Sequence, residues 1–166
     1  MRRRLALIGF IGLAWLLGAP APVSSQPAPV VRVVPMELLS VAPGASQDTE
    51  IRITVVEGFH VQANPAADEF LIPLTLEFER GEGFEVTDIR YPPGEPFRLQ
   101  GADEDLLVYG GTFAVPVTIR APADAHAEIV AARGQLRYQA CDERMCLAPA
   151  TLLFDLKARV ESAPEP

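Results

Sequence analysis

In the stretch TEIRITVVE, residues 49–57, Ile51, Ile53 and Val55 fall on one side while Arg52 and Thr54 fall on the other. An apolar residue at every second position marks an extended strand with one buried face, because successive side chains of a strand point to opposite faces. The pattern recurs along the chain. IPLTLEFE sets Leu74, Leu76 and Phe78 against Thr75, Glu77 and Glu79. TFAVPVTIR aligns Phe113, Val115, Val117 and Ile119; GQLRYQA aligns Leu136, Tyr138 and Ala140; TLLFDLKARV aligns Leu152, Phe154, Leu156 and Ala158. No segment sustains the 3.6-residue period of a helix. Between the alternating runs lie APGASQD, ANPAAD, RGEG, YPPGEPF, YGG and APADAH, which hold six of the 16 prolines. Proline and glycine end strands, so these are turns. Pro73 and Pro116 fall inside strand-like runs. A proline donates no ladder hydrogen bond, so those strands are expected at sheet edges or bulged there. Some seven to nine short strands separated by regular turns predict an all-β protein, an immunoglobulin-like β-sandwich over residues 35–160. Residues 26–34 and 161–166 are expected to be flexible ends.

The first 25 residues read as an address. Arg2, Arg3 and Arg4 precede an apolar run from Leu5 to Gly18, with Pro20, Pro22 and small residues after it. A membrane-spanning helix needs about twenty apolar residues, and this run is shorter. Residues 1–25 are therefore expected to be a signal peptide, and the protein to be periplasmic or otherwise exported. Removing the three arginines leaves 11 basic against 22 acidic residues, a net charge near −11. That charge argues against nucleic acid and anionic membrane surfaces as partners. Export also implies that paired cysteines are oxidised unless something reduces them.

The chain has two cysteines, Cys141 and Cys146, in RYQACDERMCLAPAT. They fall in the connection between two alternating strands, at a hairpin tip. Three chemistries are open to them. A staple across a loop of about six residues stabilises a fold by roughly 2 kcal/mol, against about 4.7 kcal/mol for a loop of a hundred. A structural zinc site would need both histidines, His60 and His126, to converge on the cysteines, and a Cu(I) site could be built from Cys141, Cys146, Met145 and His60. A redox couple needs only a small ring that opens and closes in reach of another protein's thiol. Asp142 and Glu143 beside Cys141 disfavour a thiolate, Arg144 favours one, and no helix N-terminus is present to help. The pair is thus expected to exchange when docked and not to act as a general oxidant. The acidic run Asp103, Glu104 and Asp105 reads as a solvated loop, and no nucleophile elbow or phosphate loop occurs.

The segment GQLRYQACDERMCLAPATLLFDL resembles the end of the amino-terminal periplasmic domain of the thiol:disulfide interchange protein DsbD. Tyr138, Gln139, Cys141, Cys146 and Pro149 carry the likeness. VVEGFHVQANPAADEFLIPLTLEF and YPPGEPF with LLVYGGTFAVPVTI extend it to roughly residues 35–158. The resemblance implies an immunoglobulin-like domain that relays reducing equivalents through mixed disulfides, with Cys141 and Cys146 as the redox pair and Cys146 as the sulfur attacked. It implies a membrane thiol–disulfide electron transporter and thioredoxin-like periplasmic proteins as partners, including those of cytochrome c maturation, and no cofactor or resident metal. It implies an electron relay and not a self-sufficient enzyme. It also implies a cap loop near residues 94–104 with Phe97 as its aromatic residue. DEF at Asp68–Phe70 is closer to the cap in letters but lies early in the chain. His60, Gln62 and Tyr138 are expected as neighbours of the pair, His60 and Gln62 standing where well-known members carry tyrosines. Two departures stand out. Four residues separate the cysteines here, against five in the better-known pattern. The sequence carries neither a membrane domain nor a thioredoxin-like domain, so a stand-alone relay fed by a separate protein is expected. The alternatives are a secreted immunoglobulin-like binding module with an inert disulfide, and a copper-handling domain.

Overall fold

A computed structural model describes residues 29–80, 83–126 and 128–161. The signal-peptide expectation and most of the expected tail, residues 162–166, lie outside the described residues. Twelve strands run in chain order as β1 (Val31–Val33), β2 (Leu39–Val41), β3 (Ser46–Val55), β4 (His60–Gln62), β5 (Thr75–Phe78) and β6 (Glu85–Ile89). They continue as β7 (Glu95–Phe97), β8 (Leu106–Tyr109), β9 (Thr112–Arg120), β10 (Ile129–Tyr138), β11 (Ala140–Cys141) and β12 (Ala150–Val160). The described residues contain no helix, so none is long and apolar enough to cross a membrane.

The strands form three sheets, ordered β1-β3-β9-β6, β2-β12-β10-β5 and β11-β4-β8-β7. The first two are the immunoglobulin-like sandwich, because their inward faces meet in one core. Ile51, Ile53, Val115, Val117 and Ile119 of the first sheet share that core with Leu76, Leu136, Leu156 and Ala158 of the second. These are the residues that the alternation had placed on the inner faces. Full burial of each large aliphatic side chain stabilises the fold by about 1.5–3 kcal/mol. The long pairs β3–β9 and β10–β12 form the spine, joined in register from Ser46↔Arg120 to Thr54↔Thr112 and from Ile129↔Arg159 to Tyr138↔Ala150. Within β10, Gly134 is paired with Phe78 on one side and Phe154 on the other. The Phe154 ring covers it so closely that an added Cβ would sit 2.4 Å from the ring's Cζ. Phe78 and Phe154 meet edge to face over this gap, with centroids 5.7 Å apart.

Three expectations need correction. Strand β9 is central and not an edge, despite Pro116. The β6 ladder ends at Ile89↔Val117, and Pro116 lies one residue beyond it, accepting a hydrogen bond from the Arg90 N–H at 2.9 Å. In an antiparallel pair a residue's N and C=O face the same neighbour, so the missing donor falls where β6 has stopped. The bulge of β6 lies elsewhere, between Val86 and Asp88. Pro73 precedes β5, which is an edge strand as expected. Second, the segment 26–34 is not wholly a loose lead-in: Val31–Val33 pairs with β3, and Val31 is fully buried. Three residues are too few to display a period. Third, the described residues hold twelve strands, not seven to nine, because the third sheet is made of pieces two to four residues long.

Candidate functional site

The cysteines sit at the edge of this third sheet. After Tyr138 the chain leaves β12 and crosses, as β11, to pair with β4 through Ala140↔Val61 and Cys141↔His60. β4 pairs in turn with β8, which pairs with β7. Alternation divides the sheet cleanly. Val61, Tyr109 and Ala140 point into the shared core and are buried there. Their neighbours His60, Gln62 and Cys141 face the other way. So do Val108, in register with Gln62, and Phe97, two residues along from Glu95, the β7 partner of Val108. One face of the small sheet thus belongs to the sandwich, and the other carries the site.

Cys141 and Cys146 form a disulfide with their Cα atoms 3.9 Å apart. Cys141 is fully buried. Cys146 is half-buried, between the exposed apolar side chains of Met145 and Leu147. The turn between the cysteines closes on itself. The Asp142 N–H donates to the Met145 carbonyl at 3.0 Å and the Leu147 N–H to the Ala140 carbonyl at 2.7 Å. The Asp142 carboxylate accepts the N–H groups of Arg144 and Met145 at 2.7 and 2.8 Å. These two bonds favour the ionised form and hold the Asp142 carboxyl below its ordinary range.

Gln62 is the site's buried polar residue, with no exposed surface. Its backbone is held on both sides: its N–H donates to the Gln139 carbonyl at 3.2 Å and its carbonyl accepts from Leu74 at 3.0 Å. Its side-chain Nε2 donates to Cys141 Sγ at 3.2 Å, while its Oε1 is buried without a partner. His60 is half-buried, and its Nδ1 is also buried without a partner. Gly110 makes room for its ring, since a Cβ there would stand 3.0 Å from His60 Cδ2. Phe97 stacks on the ring, with centroids 4.1 Å apart and planes tilted by 30°. Phe97 lies outside the core cluster, so it is not an ordinary core phenylalanine.

The segment after Phe97 reaches over the cysteine turn. The Gln100 N–H donates to the Glu143 carbonyl at 2.9 Å. Arg98 and Asp105 close the loop between β7 and β8 with a 2.6 Å ion pair. Their mutual hydrogen bond raises the Arg98 pKa and lowers that of Asp105. The acidic run is therefore a surface loop with one paired carboxylate. Phe70, in the alternative DEF segment, is 84% exposed. That segment leads to Ile72, whose N–H donates to Gln139 Oε1 at 3.3 Å.

The structure thus gathers Cys141, Cys146, Gln62, His60 and Phe97. Tyr138 belongs to the core at the end of β10, where burial raises its pKa. His126 is exposed in the connection after β9, so the zinc set of two cysteines and two histidines is not assembled. Among the described residues no three His, Cys, Asp or Glu side chains gather to hold a metal ion. Gln100 and its bond to Glu143 had no signal in the sequence, because a backbone contact between two loops leaves no residue pattern. The arrangement can do one kind of chemistry directly. Cys146 is the more open residue of the disulfide, and Cys141 the sealed one, so a thiol arriving from solvent has readier access to Cys146.

The sequence profile of the family described as thiol:disulfide interchange protein DsbD, N-terminal, matches residues 28–158. No curated protein matches the chain. Among solved structures, the chain is similar to the N-terminal periplasmic domain of ScsB from Proteus mirabilis, at 13% identity and a TM-score of 0.46, over 81% of this chain and 47% of that one. It is similar to the reduced DsbD N-terminal domain of Neisseria meningitidis, at 16% identity and a TM-score of 0.41, over 72% of this chain and 86% of that one. A PapD-like domain of human CEP192 is similar at 15% identity and a TM-score of 0.42, over 91% of this chain and 99% of that one. The chain thus spans about half the length of the Proteus structure.

Proposed function

Because this chain belongs to the family of DsbD amino-terminal domains, we propose that it is an exported thiol–disulfide exchange domain that relays reducing equivalents between partner proteins. A thiolate of a reduced partner attacks Cys146 Sγ, the bond between the sulfurs breaks, and its electron pair leaves on Cys141 Sγ. The partner's second thiol, once deprotonated, attacks the partner sulfur of the mixed disulfide and releases Cys146 as a thiolate. Two protons taken up by Cys141 and Cys146 complete the transfer: the partner ends as a disulfide and this chain as a dithiol. The same steps in reverse hand the electrons on. The partners are a membrane thiol–disulfide electron transporter on the donor side and thioredoxin-like periplasmic proteins on the acceptor side.

The observation that carries this reading is the asymmetry of the pair: Cys141 is sealed while Cys146 is half-open between Met145, 58% exposed, and Leu147, 37% exposed. A disulfide with one half-open end flanked by apolar surface suits contact with a docked protein better than it suits holding a core together. A chain carrying Cys141→Ser keeps the open sulfur and is expected to trap a mixed disulfide with a thioredoxin-like protein, whereas Cys146→Ser is expected to trap little. A reduction potential above about −300 mV is expected for the wild-type pair. A much lower potential, together with no trapped complex from either variant, would leave an inert staple instead.

A further inference from the structure

We propose that the side-chain amide of Gln62 is the group that receives the charge when the disulfide opens, and that it fixes Cys141 as the leaving sulfur. This rests on the exchange reading above and deepens it. Gln62 Nε2 already donates to Cys141 Sγ at 3.2 Å in the oxidised state. When a thiolate of a protein or small dithiol bonds to Cys146 Sγ, the electron pair of the broken bond arrives on Cys141 Sγ. That atom is fully buried, so water does not solvate the new charge. A hydrogen bond to an ionised acceptor is about twice as strong as one to a neutral acceptor, and the low-dielectric surroundings strengthen it further. The donor needs no rearrangement to meet the charge, because both backbone groups of Gln62 are tied to Gln139 and Leu74. Among the described residues no side-chain donor bonds to Cys146 Sγ, and Cys146 is only half-buried. The two sulfurs are thus unequal twice over: one is reachable, and the other has its stabilising donor in place.

The remaining half of the amide points the same way. Gln62 Oε1 is buried with no partner. An unsatisfied buried acceptor weakens a fold, so stability alone would favour an apolar side chain at this position. The donor to the sulfur is what the amide contributes in return. An amide does not titrate, so it supports the leaving thiolate equally across the physiological pH range.

The test compares Cys146→Ser, in which Cys141 is the sole thiol, with the same chain also carrying Gln62→Met. Methionine keeps the unbranched bulk and removes the donor. The ultraviolet absorbance of the thiolate against pH is expected to show Cys141 ionising at least about one pH unit higher without the amide, a tenfold change in its acidity. With both cysteines present, Gln62→Met is expected to slow reduction by dithiothreitol at least about tenfold, in a chain that melts no lower than wild type. Gln62→Glu, which keeps the shape and removes the donor at neutral pH, serves as the second variant should methionine prevent folding, and is expected to move the titration in the same direction. Equal Cys141 titration with and without the amide would overturn the proposal. So would a lower melting point with unchanged titration, which is the mark of a packing role only. A wild-type disulfide that no dithiol opens would sink the relay instead, and the titration would still decide the part played by Gln62.

Discussion

Cutting Phe97 back to alanine tests whether the loop over the cysteine turn acts as a cap. A fully buried phenylalanine replaced by alanine costs about 3–5 kcal/mol. Phe97 is half-buried and lies outside the core, so roughly half of that is expected. A stacked aromatic pair contributes about 0.5–1.5 kcal/mol beyond its buried area. In the cap reading the stack on His60 belongs to the closed position of the loop, so that part is lost from the closed state alone. With about 1.4 kcal/mol to each tenfold, a loss near 1 kcal/mol raises the open fraction roughly fivefold. Reduction of the disulfide by dithiothreitol, followed by quenching with an alkylating agent, should therefore run about five times faster in Phe97→Ala. Its melting point should fall by several degrees. Phe97→Leu, which keeps apolar bulk without the ring, should lie between. A lower melting point with an unchanged or slower reduction rate would refute the cap, because the side chain would then support the sheet without covering the sulfurs.

Two further outcomes can be checked without any partner. Gly134→Ala places a methyl group 2.4 Å from Phe154 Cζ, so the ring must move and the Phe78 contact must loosen; a loss of about 1–3 kcal/mol in urea unfolding is expected, and a variant as stable as wild type would show that β12 can shift freely. The Asp142 carboxyl has a folded pKa below its unfolded value, so its support of the turn is present above the unfolded value near 3.9 and is lost as pH falls through the folded one. The amide signals of Arg144 and Met145 should accordingly titrate together below the ordinary carboxylate range, and a midpoint at the ordinary value would remove the two hydrogen bonds from solution.

The large strands were legible because each runs long enough to repeat. In β3, Ile51, Ile53 and Val55 sit where alternation places them, and β10 and β12 behave alike. The third sheet was hidden because its strands hold two to four residues, too short for a period to appear. In β4 the pattern is also masked: Val61 and Gln62 are both fully buried, since the sandwich covers one face and the cysteine turn the other. His60 and Gln62 could be associated with the cysteines only through the family resemblance. The bond from Gln62 to Cys141 joins residues 79 apart. It depends on β11 leaving β12 for β4, a crossing that nothing in the local letters announces. Pro116 misled for a similar reason, because the cost of a missing donor depends on where the neighbouring strand ends.

The small sheet has a consequence for how such a protein can change over generations. Positions 61, 109 and 140 face the sandwich and positions 60, 62 and 141 face the sulfurs, so neighbouring codons answer to different pressures. Drift at the first set would register on a thermometer, and drift at the second on an electrode. A lineage could retune its electron chemistry one letter at a time while its scaffold stayed untouched.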